Sequence, residues 1–263
     1  MNLIYSCIIA FSMYSRIPMP RVQWKEERME HVFCFFPLVG AAEGLALGGF
    51  LWLGRLFALS PVMTALWGTA LPILITGGIH MDGFADTMDA IHSYGDRKKR
   101  LEIMKDPHTG AFALICTAVY VCLYAGALGE YIRLAAQRSG GFLWLWPAAF
   151  LAMERAFSGL GVLTFPKAKA EGLAASFSQA AKGGTDKRVL IGWILVLEGG
   201  AVWAAGPGAG ILGLVQLGVF LYFRRMAMRE FGGITGDLAG WFLQNCELIS
   251  LCASLLFMRM GIL

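Results

Sequence analysis

The 263-residue sequence predicts an all-α fold, a polytopic integral membrane helical bundle of about seven spans plus interfacial or re-entrant helices, as a single domain over residues 1–263. Three observations predict it. The chain is 57% hydrophobic and 15% charged, with a mean hydropathy of +0.61, whereas soluble domains run near ~45–50% apolar and ~25% charged. The apolar residues form long continuous runs without the strict alternation of barrel strands. Basic residues fall in alternate connections, as they do when successive helices cross a bilayer.

Taken in order, the opening "MNLIYSCIIAFSMYS" has an apolar centre but no basic start and no small-residue cleavage site, so it does not read as a secretory signal. It is shorter than the ~20 residues a span needs, and it predicts an interfacial or re-entrant helix. The spans follow at about Phe35–Leu59, Pro61–Ile79, Ala111–Leu134, Phe142–Phe165, Val189–Ala205, Gly208–Phe223 and Leu248–Leu263. "ALSPV" turns the first into the second, and "GPG" at Gly206–Gly208 turns the fifth into the sixth. The six cysteines form no CxxC pair and lie in or beside apolar runs, which argues against disulfides or a zinc site.

Charge sets the orientation. Arg16, Arg21, Lys25 and Arg28 form one basic group, and Arg97, Lys98, Lys99, Arg100 and Lys105 a second. Lys167, Lys169, Lys182, Lys187 and Arg188 form a third, and Arg224, Arg225 and Arg229 a fourth; together these hold seventeen of the 22 Lys and Arg residues. Seven alternating spans put all four groups on one side, the cytoplasmic one by the positive-inside rule. Three motif loops, about 77–110, 166–188 and 224–247, are then cytoplasmic, and the protein is expected in the cell inner membrane, in contact with lipid, with its active face inward. No nucleic-acid partner is expected, and a homo-oligomer is allowed for.

The first motif loop, "GGIHMDGFADTMDAIHSYGDRKKRLEIMKDPHTGAFA", gathers acids at helical spacing. At ~100° per residue, Asp82, Asp86 and Asp89 fall near ~0°, ~40° and ~−20° and share one narrow helix face. Like charges so placed repel, so a cation is expected to neutralise them, and hard carboxylate oxygens suit Mg²⁺. The basic residues Arg97, Lys98, Arg100 and Lys105 follow within reach and are candidates to hold phosphate. Carboxylates, metal and cations together are the equipment of phosphoryl chemistry. Asp106, before Pro107, reads as a helix N-cap. His80, His92 and His108 lack metal-site spacing and read as polar contacts at the membrane interface.

The second motif, "FGGITGDLAG", embeds Asp237 among four glycines, with Glu247 near the start of the last span. Glycines alone suit close helix packing; the embedded acid adds a candidate ligand. Glu154 and Arg155 lie mid-span, where ionisable residues are costly and face an interior or a water-filled site. Arg155 is a candidate for phosphate, or else a core partner of Glu43 or Glu198.

Here the sequence resembles a known family. "SMYSRIPMPR", "FFPLVG", "TGGIHMDGFADTMDAI", "RLEIMKDPHTGAFA", "FPKAKAEGLAASF" and "FGGITGDLAG" occur in the order seen in cobalamin synthases, the adenosylcobinamide-GDP ribazoletransferases. This chain departs from the family pattern in carrying the large Trp241 after Gly240 and Gln244 three residues later. The resemblance implies a Mg²⁺-dependent transferase of cobalamin biosynthesis. Its substrates would be adenosylcobinamide-GDP and alpha-ribazole or its 5′-phosphate, with GMP as the leaving product. It carries over to Asp82 and Asp86 as catalytic acids and to Asp82, Asp86, Asp89 and Glu247 as metal ligands. Arg97, Lys98, Arg100, Lys105, Arg155 and Asp237 become substrate contacts. Two other readings stand beside it. A CDP-alcohol phosphotransferase would need Asp-x2-Asp-Gly-x2-Ala-Arg, whereas the spacing here is Asp-x3-Asp-x2-Asp. A cation transporter would need acids at mid-membrane.

Overall fold

The computed structural model describes residues 2–138, 141–168, 179–181 and 184–263. In chain order the helices are α1 (Asn2–Tyr14), the single turn α2 (Glu26–Met29), α3 (Val32–Leu56), α4 (Pro61–Thr76), α5 (Ile79–His92) and α6 (Arg97–Ile103). They continue with α7 (Ala111–Ala136), α8 (Phe142–Thr164), α9 (Thr185–Ala205), α10 (Gly210–Met226) and α11 (Gly236–Arg259). A 3₁₀ turn, Pro207–Ala209, leads into α10, and a π-helical turn, Ala227–Phe231, leads out of it.

Among the described residues, α3, α7, α9, the Pro207–Phe231 run and α11 are each long and apolar enough to cross a membrane, and α4 with α5 adds a sixth if counted as one bent span. The protein is thus an all-α, multi-pass membrane protein. Of the seven spans expected, the one not counted here on apolarity is α8, a 23-residue helix that carries Glu154 and Arg155 near its middle. That pair makes α8 too polar to face lipid, and the fold encloses it: Trp146, Phe150, Leu151, Ala156 and both ionic residues are buried. Helix α3 is laid against α8 by Gly40, Gly44 and Gly48, one residue every turn, which sit on the α8 backbone at Leu151, Ala148 and Trp144. With no side chain between them, the two backbones approach closely, the usual device for packing helices where lipid gives no hydrophobic drive.

Two boundary differences bear on the site. Helix α4 stops at Thr76 instead of Ile79, because Gly77 and Gly78 both take left-handed backbone (φ 68° and 81°). The chain turns there by 96° before α5 begins. Helix α11 begins at Gly236, where Thr235 Oγ1 accepts the Leu238 amide proton at 3.2 Å, so the segment 224–247 is mostly helical and not a loop. Its polar stretch misled the boundary: Gln244 and Glu247 are buried between helices and do not face water.

The described parts of all four basic groups meet elements at one end of the bundle. The Arg16 amide donates to Ile75 O (2.6 Å). Arg97 Nε donates to Arg229 O at 3.0 Å, and Arg100 pairs with Glu230. A short parallel bridge joins Lys167 to Ile234, through Ile234 N–H to Pro166 O (2.8 Å) and Ala168 N–H to Ile234 O (3.0 Å). Asp186, beside Lys187 and Arg188, bonds His31 in the connection that holds Arg28. Glu130 with Arg133 and Arg259 forms a separate ion cluster at the far ends of α7 and α11. Most of "FPKAKAEGLAASF", with Lys169 and Lys182, lies outside the described residues.

Candidate active site

Helix α5 carries the acid face. Its inner side packs through Met81, Phe84 and Ala90, all buried, while Asp82 is exposed and Asp86 and Asp89 are half-buried. The three carboxylates therefore share the helix face that the spacing predicts. Helix α11 crosses α5 at two glycines. A Cβ on Gly83 would lie 2.7 Å from the Asp237 carbonyl oxygen and 2.8 Å from its Cα; one on Gly240 would lie 2.9 Å from His80 O and 3.4 Å from Gly83 Cα. Real side chains do not fit there. The crossing brings the first turn of α11, with Asp237, onto α5 one residue from Asp82 and three from Asp86. Thr235 Oγ1 also lies 3.5 Å from Asp237 Oδ2.

Asp89 stands slightly apart. Its carboxylate rests against Gly110 at the start of α7, where the unpaired amides of a helix N-terminus favour a negative charge. Trp241, the large residue of α11, is mostly buried and points its Nε1 at Met88 Sδ of α5 (3.1 Å). It thus braces the acid helix from the side.

The basic residues divide into two kinds. Arg97 and Arg100 hold the short helix α6 against the π turn, through Arg229 O and Glu230. Lys98 and Lys105 stay exposed. Lys167 is partly buried, with its ammonium on Val162 O and Phe165 O, and burial followed by nearby Lys187 pushes its pKa down. Asp106 does not cap a helix, since α7 begins five residues later. It instead accepts the His108 amide proton (3.0 Å) and contacts the His108 ring (2.7 Å). The amide first and the ring second lower its pKa.

Arg155 and Glu247, expected on phosphate and metal, lie together in a different group. Arg155 is fully buried. Its Nη2 reaches Glu43 Oε2 (2.6 Å), and its Nη1 reaches Glu154 Oε1 (2.7 Å) and Leu151 O (3.0 Å). Glu247 Oε1 lies 4.0 Å from the guanidinium, and Glu247 Oε2 accepts from Tyr120 (3.2 Å). These groups sit near the middles of α3, α8 and α11, and the Tyr120 ring stacks toward Phe84 of α5 at 5.3 Å. The acid helix therefore rests on an ionic core and is separate from it. The core partner of Arg155 is Glu43, not Glu198.

Of the histidines, His80 differs from expectation, while His92 and His108 make the polar contacts expected. His80 is buried, near the rings of Tyr14 and Phe36, and neither ring nitrogen has a hydrogen-bond partner among the described residues. His92 bonds back to Met88 O at 2.8 Å and stacks on Phe112. Sequence reasoning passed over His31, whose Nδ1 lies 2.7 Å from Asp186 Oδ1. The partners are 155 residues apart, so no local spacing could reveal the pair.

Asp82, Asp86 and Asp237 bring carboxylate oxygens to the two helices that cross at Gly83, hard donors of the kind Mg²⁺ takes alongside water and phosphate.

Comparison with known proteins agrees with the motif order. A family model described as cobalamin-5-phosphate synthase matches residues 6–255. The chain is 42% identical over 253 residues to a protein named adenosylcobinamide-GDP ribazoletransferase from Lachnoclostridium phytofermentans, covering 95% of this chain and 93% of that one. It is 34% identical to proteins of the same name from Desulfitobacterium hafniense (92% and 93% covered) and Pseudomonas entomophila (91% and 94% covered). No solved structure matches.

Proposed function

The chain belongs to the cobalamin-5-phosphate synthase family, and on that premise we propose that the crossing of α5 and α11 is where it works. The activity is that of an adenosylcobinamide-GDP ribazoletransferase, which joins adenosylcobinamide-GDP to ribazole in cobalamin biosynthesis. The acceptor is alpha-ribazole or its 5′-phosphate. The active face is cytoplasmic, in the inner membrane.

In this reading the ribazole hydroxyl attacks the phosphorus bonded to cobinamide. The new P–O bond forms as the bond to the GMP phosphate breaks, and GMP leaves. Asp82 or Asp86 takes the hydroxyl proton. Lys98 and Lys105, exposed beside the crossing, bind diphosphate oxygens, while Arg97 and Arg100 keep α6 in place to present them. Asp82, Asp86 and Asp237 would hold Mg²⁺, with Asp89 behind them at the α7 terminus. When bound, the ion would supply Lewis-acid stabilisation of the charge that develops on the phosphate oxygens. Arg155 and Glu247 support the site from beneath.

The observation that carries this reading is the close backbone approach at Gly83 and Asp237. It sets the first turn of α11, with Asp237, against α5 beside Asp82, which supports a diphosphate held from two sides. The test is GMP release by the purified protein from adenosylcobinamide-GDP and alpha-ribazole 5′-phosphate. Release should require Mg²⁺ and fall by about 10²-fold or more in Asp86→Asn. Undiminished release in Asp86→Asn and Asp237→Asn alike would remove the crossing as the active site.

A further inference from the structure

We propose a second metal site, for a transition-metal ion of the zinc class, formed by His31, Cys34 and Asp186. Each contributes one donor atom, and the three atoms lie within 4.8 Å of one another. His31 is the residue just before α3, and Cys34 follows one turn later on the same side, its amide bonded to His31 O at 3.1 Å. Asp186 comes from the first turn of α9 and is 2% exposed. Its Oδ1 meets His31 Nδ1, but its Oδ2 is buried with no hydrogen-bond partner among the described residues. A buried carboxylate oxygen without a partner costs free energy, and a cation beside it removes that cost.

The donor chemistry separates this site from the acid face of α5. Imidazole, thiol and carboxylate form the mixed N/S/O set that binds Zn²⁺ and its neighbours, and the thiolate disfavours Mg²⁺. Bond lengths of ~2.0–2.1 Å to nitrogen and oxygen put tetrahedral N···O pairs near ~3.3 Å apart. The present 2.7 Å contact need open only slightly when its shared proton gives way to the ion. Three protein ligands leave a fourth position for water. Trp193 of α9 donates to Cys34 O at 3.0 Å, so the α3 turn that bears two ligands is already pinned to the helix that bears the third. The site would act as a tie. Helix α9 buries little of its apolar length within the protein, and the metal would fasten its cytoplasmic end to α3.

The test uses the full-length protein in detergent, stripped of transition metals and kept in excess Mg²⁺. Co²⁺ should bind at one ion per chain and give the thiolate-to-cobalt charge-transfer band of a sulfur-ligated site. Cys34→Ser should abolish that band while leaving the His31–Asp186 bond intact. His31→Gln and Asp186→Asn should each weaken Co²⁺ binding by about tenfold or more. Zn²⁺ should raise the melting temperature of the wild type and not that of Cys34→Ser. Absence of the charge-transfer band in the wild type, or its survival in Cys34→Ser, would overturn the proposal. So would a Zn²⁺ stabilisation that is equal in the two proteins.

Discussion

Asp82, Asp86 and Asp89 are alike in the sequence and unlike in place. Asp82 and Asp86 flank the Gly83 position where α5 meets Asp237, whereas Asp89 lies on Gly110 at the α7 terminus. Asp82→Asn and Asp86→Asn are therefore expected to lower turnover by about 10²-fold or more with little loss of folded protein. Asp89→Asn should cost stability first, about 0.3–1 kcal/mol for a charge at a helix N-terminus, and less turnover than either of the others. Steady-state rates and thermal melts of the three variants, in parallel, check the division. Equal loss of turnover in all three would return Asp89 to the metal shell. Arg155 is a separate case. Removing its guanidinium leaves Glu43, Glu154 and Glu247 as buried carboxylates without a counter-ion, a loss of about 3–5 kcal/mol for a broken buried pair. Arg155→Met should reduce the yield of folded protein, read by size-exclusion chromatography. A well-folded variant with a raised KM for adenosylcobinamide-GDP would instead place Arg155 on the substrate.

The crossing of α5 and α11 is an element-scale device, because it depends on two backbones and not on a side-chain pair. A methyl group at Gly83 meets the Asp237 backbone at 2.7–2.8 Å, so one of the two backbones must shift to admit it. Gly83→Ala and Gly240→Ala are each expected to destabilise by about 1–3 kcal/mol, as overpacking does, and to lose activity beyond what the stability loss explains. The same contact predicts coupling. Asp86→Asn and Asp237→Asn should be strongly non-additive in transition-state free energy, since either loss disables the shared unit. Additive losses would assign Asp237 to capping or packing. Helix periodicity made the α5 acid face legible from sequence. Its partner was legible only as a glycine-flanked acid, since nothing local says which helix those glycines touch.

For the whole molecule, the basic residues predict the side and the contacts join them. The described segments 16–28, 97–105, 166–168, 186–188 and 224–234 touch one another or the elements that carry the others at one end of the bundle. Thiol labelling of intact cells checks the side. Lys98→Cys and Lys187→Cys should react with an impermeant maleimide only after the membrane is opened. Strong labelling from outside, above the native-cysteine background, would invert the topology and carry the active face with it.

By itself the sequence determined the class of fold, the family, the orientation of the acids on α5 and the grouping of the basic residues. Each of these follows from composition, short-range periodicity or motif order, which a single chain displays directly. The tertiary structure decided what depends on distant residues meeting. It placed α8, which carries Glu154 and Arg155 mid-helix, at the enclosed centre, because those two need partners such as Glu43 that only packing supplies. It grouped Glu247 and Arg155 with Glu43 and Glu154 in that core, began α11 twelve residues early, and brought Asp237 to Gly83 and Asp186 to His31. The reason is the same each time. A buried charge or a side-chain-free glycine is stabilised by whatever lies opposite it, and that neighbour is set by three-dimensional packing and not by position along the chain.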